Sequence, residues 1–410
     1  MTNPMPHPRF VPSGIPALDE VVRGIRLGDN VVWQVDQLDT YHSVVDPFVA
    51  QSLKDGRRLV YVRFAPHEEV VARDSRIVRY ELDPTPGFDQ FSRAVHELIE
   101  HEGRGVMYVF DSISSLAEEW ATDEMLANFF QVTCPFLFQL DTVAYFALDR
   151  SRHEAAAVAR IRQTTQLLLD TFSVGRDRYV HPLKVAERYG PQMFLPHLAR
   201  GDHWSPVLQS GLAAAAAAQA GRHALRRAGA SLAPWDSVQQ RLLPHRDLDI
   251  AAVDADPELR VLKREFIRMM LGDQGALNEL ADRHMPLGAL FDIRDRLIGS
   301  GQIGGKAAGM LAARAILTHG DGAATIAPFL ESHDSFFIGS DVFFTFLVMN
   351  DLFRLRLQVS RQASLSREEF ADVERRFLDG VFPDEVMEQF QNLLDYFGQA
   401  PIIVRSSSLL

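Results

Sequence analysis

The sequence is poor in the residues that build covalent and metal frameworks. Its 410 residues contain one cysteine, Cys134, so no disulfide can close within the chain and a reducing cytoplasm is the expected setting. Cys134 stands beside Pro135 in an apolar stretch and reads as a buried, inert thiol. The histidines, among them His67, His153, His181, His197 and His284, are scattered. Neither an H-x-x-x-H nor a C-x-x-C spacing occurs, so no structural metal site is expected. No run of about 18 apolar residues is present, which excludes a membrane-spanning helix. The most monotonous stretch, Ala213 to Ala218, is too short and too weakly apolar for that role. Met1 to Pro8 has three prolines and no apolar core, so it does not read as a signal peptide. Ser114 and Ser115 lack the glycine frame of a nucleophile elbow. A net charge of −12 argues against a nucleic-acid or anionic-membrane surface.

Apolar residues make up 47% of the chain and charged residues 23%, as in a globular protein. The length predicts two to three domains. Residues 8–206 alternate short apolar runs with amphipathic stretches, the pattern of an α/β fold with a largely parallel sheet. Strands are predicted at Asn30–Val35, Arg58–Arg63, Val106–Phe110 and Thr142–Leu148. Helices are predicted at Ser43–Lys54, Gly87–Glu102, Asp123–Gln131 and His153–Asp170. Antiparallel strands at Gln166–Val174, Val180–Glu187 and Gln192–Ala199 complete the sheet.

Residues 207–291 read as a helical connector. It includes the alanine-rich stretch Ser210 to Ala230 and a linker rich in Pro and Asp around Ala233–Pro257. Asp256-Pro257-Glu258 marks the start of a helix at Glu258–Leu271, with a second at Ala276–Arg283. Met285 to Gly288 reads as a turn. In residues 292–410 helices are predicted at Phe343–Leu355, at Ser366–Leu378 with a serine cap, and at Pro383–Tyr396.

Two stretches in this last part carry chemistry. Ile303-Gly304-Gly305-Lys306-Ala307-Ala308-Gly309 brings a lysine to a helix start, where glycines allow close backbone approach and unpaired N–H groups suit an anion. Pro401-Ile402-Ile403-Val404-Arg405-Ser406-Ser407-Ser408 reads as a short strand delivering an arginine and hydroxyls. Together these motifs resemble the nucleotide-binding domain of phosphoenolpyruvate synthase and pyruvate phosphate dikinase. Ser335 to Gly339, with Val342 and Phe343, looks like the segment linking the two motifs in that family. The resemblance implies an ATP-grasp fold with Lys306 and Arg405 on the ATP phosphates, supported by Gly304 and Gly305. It implies ATP and Mg2+ as cofactors and pyruvate, phosphoenolpyruvate or another phosphoryl acceptor as partner. The acceptor would be handled by domains expected beyond Leu410, so these residues alone are expected to lack turnover.

The opening Ser13-Gly14-Ile15-Pro16-Ala17-Leu18-Asp19 resembles RecA-like ATPases of the KaiC type. There a phosphate loop ending in lysine and Thr/Ser follows the first strand. Here Gln34-Val35-Asp36-Gln37-Leu38-Asp39-Thr40-Tyr41-His42 has no glycine, no lysine and two aspartates, a composition that repels phosphate. Where the family has paired glutamates this chain has Ala65-Pro66, with Glu68 and Glu69 displaced. Asp111 remains as a remnant of the magnesium-binding aspartate and reads as a helix cap with Ser112 and Ser114. The expected architecture is thus an inactive RecA-like domain, a helical connector and the first part of an ATP-grasp domain. The leading functional expectation is a phosphotransferase front part. A non-enzymatic RecA-like regulatory or assembly module that self-associates is the alternative.

Overall fold

The computed structural model describes residues 10–120, 122–150, 152–201, 203–209, 211, 214, 234–320, 322–331 and 334–406. Nearly all of the alanine-rich stretch and Ser407 to Leu410 lie outside these residues. The chain divides into two compact units, Met1–Glu118 with Phe129–Leu232, and Glu119–Asn128 with Ala233–Leu410.

The first unit begins with a small antiparallel ladder, β1 (Phe10–Val11) on β2 (Ile25–Arg26). Its body is one sheet of nine strands: β3 (Asn30–Val35), β4 (Leu59–Arg63), β5 (Ile77–Glu81), β6 (Met107–Ser112), β7 (Val143–Asp149), β8 (Leu167–Val174), β9 (Asp177–Val185), β10 (His197–Arg200) and β11 (His203–Pro206). The spatial order is β11-β10-β9-β8-β3-β7-β6-β4-β5. Every pairing from β8 to β5 is parallel, and β8 to β11 pair antiparallel. From β3 the chain first moves towards β4, and later returns through β6 and β7 to β8. Right-handed crossovers therefore place the Leu38–Lys54 helix on one face and the Phe88–Glu102, Asp123–Gln139 and Ala155–Thr164 helices on the other. This doubly wound arrangement is the RecA-like fold expected for the region.

The two faces have different cores. On the first, Trp33, Tyr61, Val109 and Tyr145 pack with Tyr41, Val45 and Phe48 of the Leu38–Lys54 helix. Phe48 stacks on Tyr145 with ring centroids 4.0 Å apart. The second face is largely phenylalanine: Phe110 stacks on Phe146 at 4.6 Å, and Phe130 meets Phe146 edge-on at 5.2 Å. In the Phe88–Glu102 helix, Phe88, Phe91, Val95, Leu98 and Ile99 are buried at helical spacing. Each such side chain contributes roughly 1.5–3 kcal/mol by leaving water.

Gln166 to Asp170 fall in both an expected helix, His153–Asp170, and an expected strand, Gln166–Val174, and the strand prevails. The expected His153–Asp170 helix stops at Thr164, and Leu167 begins β8. Local helix propensity yields because Leu167, Leu168 and Leu169 pair with β3 and are fully buried.

The second unit is mainly helical. Trp235, Leu262, Phe266, Met270, Leu290 and Phe291 form one core with Ile303, Ala308, Ala312 and Ala315 of the glycine-lysine region. Asp256 caps the Pro257–Leu271 helix through the Glu258 and Leu259 amides at 2.9 and 3.3 Å. The turn expected at Met285 to Gly288 instead starts a helix, Leu287–Asp295, capped by Pro286. The expected Phe343–Leu355 helix is two helices, Ser340–Met349 and Phe353–Arg361, because Asp351 takes φ 55° between them. The Arg367–Leu378 helix has the reciprocal cap between Ser366 and Glu369. A two-stranded parallel sheet, β12 (Leu297–Ile298) with β13 (Phe337–Ile338), opens the region of interest.

Candidate functional site

β12 leads into Gly299-Ser300-Gly301-Gln302-Ile303-Gly304, and the Gly305–His319 helix follows. Gly304 caps that helix with φ −70° and ψ 157°, a backbone any residue adopts. Gly299 is the glycine of this loop at positive φ, 82°, so it is here that glycine is conformationally required. Lys306 is the second residue of the helix and is exposed. The first internal bond runs from the Ala308 amide to the Gly304 carbonyl at 3.0 Å, so the amides before it have no acceptor within the helix. The arrangement presents a mobile cation beside the positive end of a 15-residue helix.

The loop is pinned from beneath. Asp341, in the first turn of the Ser340–Met349 helix, is 5% exposed. Its carboxylate accepts the Gly301 amide at 2.7 Å, the Ser300 amide at 2.9 Å and the Ser300 hydroxyl at 3.3 Å. Burial pushes its pKa above the usual carboxylate value, while the Ser300, Gly301 and Val342 amides pull it back. Ser340 adds a reciprocal pair: its amide donates to the Gln302 carbonyl at 2.9 Å, and its hydroxyl accepts the Gln302 amide at 3.2 Å. The Gly339 amide donates to the Ile298 carbonyl at 2.9 Å.

A second tie comes from the 119–128 segment. The Ser300 hydroxyl lies 3.1 Å from the Thr122 hydroxyl. Asn128 donates to the Thr345 hydroxyl at 2.8 Å, and that hydroxyl reaches Glu124 at 3.2 Å. Glu119 pairs with Arg268 at 2.8 Å. Sequence reasoning missed Asp341, Ser300 and Thr122 as supports of the loop. The available signal was the pair of Gly-Ser stretches, Gly299-Ser300-Gly301 and Gly339-Ser340-Asp341.

The expected strand before Arg405 is not formed. Residues 401–406 have no regular structure and are exposed, with Ile403 at 81% and Val404 at 82%. A strand needs an edge to pair with, and the β12–β13 sheet gives none to this segment among the described residues. No hydrogen bond or ion pair joins Lys306 to Arg405 among the described residues.

In the RecA-like unit, β3 ends at Val35 and the next helix begins at Leu38. The helix starts five residues earlier than the sequence predicts, leaving only Asp36 and Gln37 as a link. Two residues cannot wrap a phosphate. Beyond the ends of β3 and β7, Arg150 pairs with Asp170 of β8, lies 3.7 Å from Asp36, and donates to the Thr171 carbonyl at 2.7 Å. Burial pushes the Asp170 carboxyl up to about 6, against the pull of Arg150.

Asp111 is structural, though not as a cap. It is fully buried and accepts Arg63 at 2.8 Å and the Phe64 and Ala65 amides at 3.0 Å each, besides the Tyr61 hydroxyl. These donors close the carboxylate to a magnesium ion, and no group of three or more His, Cys, Asp or Glu side chains among the described residues is arranged to hold a metal. Glu69 is held in ion pairs with Arg73 at 3.1 Å and Arg79 at 2.6 Å, which explains why it does not replace the missing glutamates. No helix among the described residues is long and apolar enough to cross a membrane.

No curated protein matches the chain. Among solved structures, the KaiC-like protein of the hyperthermophilic archaeon Pyrococcus horikoshii OT3 is similar at 17% identity. That match covers 48% of this chain and 100% of the other, with a TM-score of 0.38. Residues 300–410 match the family described as pyruvate phosphate dikinase, AMP/ATP-binding domain. The first unit has the sheet order of a RecA-like fold, and residues 300–410 are similar to the AMP/ATP-binding domain of pyruvate phosphate dikinase.

Proposed function

We propose that this chain supplies the ATP phosphate-binding part of a phosphotransferase resembling phosphoenolpyruvate synthase and pyruvate phosphate dikinase. The observation that carries the reading is Lys306. It stands exposed in the first turn of a helix behind a pinned glycine loop, inside the segment that matches an AMP/ATP-binding domain. In this reading Lys306 and Arg405 meet the phosphate oxygens, and the helix start set by Gly304 and Gly305 adds its partial positive charge. Phosphoryl transfer asks the protein mainly for positioning and for charge placed where charge develops. These residues bind and orient; they move no proton. Pyruvate or another acceptor would receive the phosphoryl group.

The RecA-like unit serves this reading as a scaffold that does not hydrolyse nucleotide. A regulatory or assembly role for it, with self-association, is the second reading, and the two-residue link after β3 favours it. Calorimetric titration of the chain with ATP tests the first reading. Binding lost in Lys306→Ala and kept in Asp36→Asn supports it, whereas binding indifferent to Lys306 overturns it.

A further inference from the structure

We propose that Asp341 is the positioning residue of the nucleotide loop, an internal anion that holds Gly299–Gly304 in shape so that Lys306 faces its ligand. The inference rests on the phosphate role of Lys306 and extends it to the residues behind the site.

Successive backbone amides that converge on one point form a nest for an anion. Here the amides of Ser300 and Gly301 converge, and the anion is the chain's own Asp341 carboxylate, at 2.9 and 2.7 Å. The surrounding backbone is cut to fit it. A Cβ on Gly299 would lie 2.7 Å from the carboxylate, one on Gly339 2.4 Å from it, and one on Gly301 2.6 Å from both the carboxylate and the amide nitrogen of Asp341. Three glycines around one buried carboxylate make a cradle that no other side chain enters without displacement.

Two consequences follow. The Ser300 and Gly301 amides are committed to Asp341 and are not offered to a phosphate, which leaves the phosphate to Lys306 and the start of its helix. The helix start is tied to Asp341 through Gln302 on the neighbouring Ser340 at 3.2 Å, and independently to the Pro257–Leu271 helix by the Ile303 amide on the Met270 carbonyl at 2.8 Å. Thr122 reinforces the same point from the other side by meeting the Ser300 hydroxyl at 3.1 Å.

The sign of the effect separates positioning from a simple field. A carboxylate near a phosphate site repels the ligand, so neutralising it should tighten binding if only its charge mattered. Positioning gives the reverse. The test uses the 410-residue chain with a ribose-labelled fluorescent ATP, read by anisotropy, and amide hydrogen exchange. Asp341→Asn should weaken binding by about tenfold or more. It should speed exchange at Ser300 and Gly301 while leaving the Pro257–Leu271 helix protected. Thr122→Val should do the same to a smaller degree, and Thr122→Ser should restore wild-type behaviour. Unchanged or tighter binding in Asp341→Asn overturns the proposal, as does unchanged exchange at Ser300 and Gly301. Should the wild-type chain show no Lys306-dependent binding, the functional reading fails on its own account. The exchange result then decides the Asp341 proposal alone, acceleration supporting it and protection overturning it.

Discussion

Arg63 and Asp111 are 2.8 Å apart in the RecA-like unit, the carboxylate fully buried and the guanidinium half-buried. A position that would hold magnesium in an active relative is thus spent on holding the chain after β4. Asp111→Ala strands the Tyr61 hydroxyl, two amides and a cation, and should destabilise this unit by about 3–5 kcal/mol. Urea unfolding followed by tryptophan fluorescence measures it. ATP turnover by the wild-type chain should stay at background, and magnesium-dependent turnover lost in Asp111→Ala would falsify the structural assignment.

Lys306 is exposed and its replacement removes no packing. Lys306→Ala and Arg405→Ala should each weaken ATP binding by about tenfold to a hundredfold, the worth of a charge-assisted contact of roughly 1.5–3 kcal/mol. Melting temperature should stay within a degree or so for both. If the two cations share one phosphate group, the double variant should lose less than the sum of the single losses. Strict additivity would place them on separate ligand groups or separate faces.

Asp170 gives the RecA-like unit a pH dependence. Its folded pKa of about 6 lies above the ordinary 3.8, so the folded state holds this proton more tightly than the unfolded state. The resulting stabilisation is complete below about pH 4 and is lost as pH rises through about 6. The size should be about 1–3 kcal/mol. Asp170→Asn should flatten the profile between those values. An unfolding curve for Asp170→Asn that keeps the wild-type slope would assign the effect to another group.

Two glycines of the second unit should respond in opposite directions to the same substitution. Gly339→Ala drives a methyl to 2.4 Å from the Asp341 carboxylate and 2.9 Å from the Gly301 amide, and should cost about 1–3 kcal/mol. Gly309 lies inside the Gly305–His319 helix, where an added methyl meets nothing within 4 Å. Gly309→Ala should stabilise by roughly 0.5–1 kcal/mol. Thermal denaturation of the two variants beside wild type decides both.

Sequence alone determined the features that repeat along the chain or sit within a few residues of each other. The alternation of apolar runs placed β3, whose predicted and observed bounds coincide at Asn30–Val35. The Ser366 and Asp256 caps, the parallel character of the sheet and the missing glycines after β3 were all legible, because each depends on local chemistry or period. Tertiary structure decided whatever needed a distant partner. The overlap between the expected His153–Asp170 helix and the expected Gln166–Val174 strand was resolved for the strand because Leu167 to Leu169 pair with β3. Ile402 to Val404 meet no strand edge among the described residues and take no regular structure. Asp111 turned from a cap into a buried anchor because Tyr61 and Arg63 reach it from β4. Asp341 supports a loop 40 positions earlier, a link no spacing could announce. A buried carboxylate takes its role from the donors that converge on it, and convergence is a property of the folded chain.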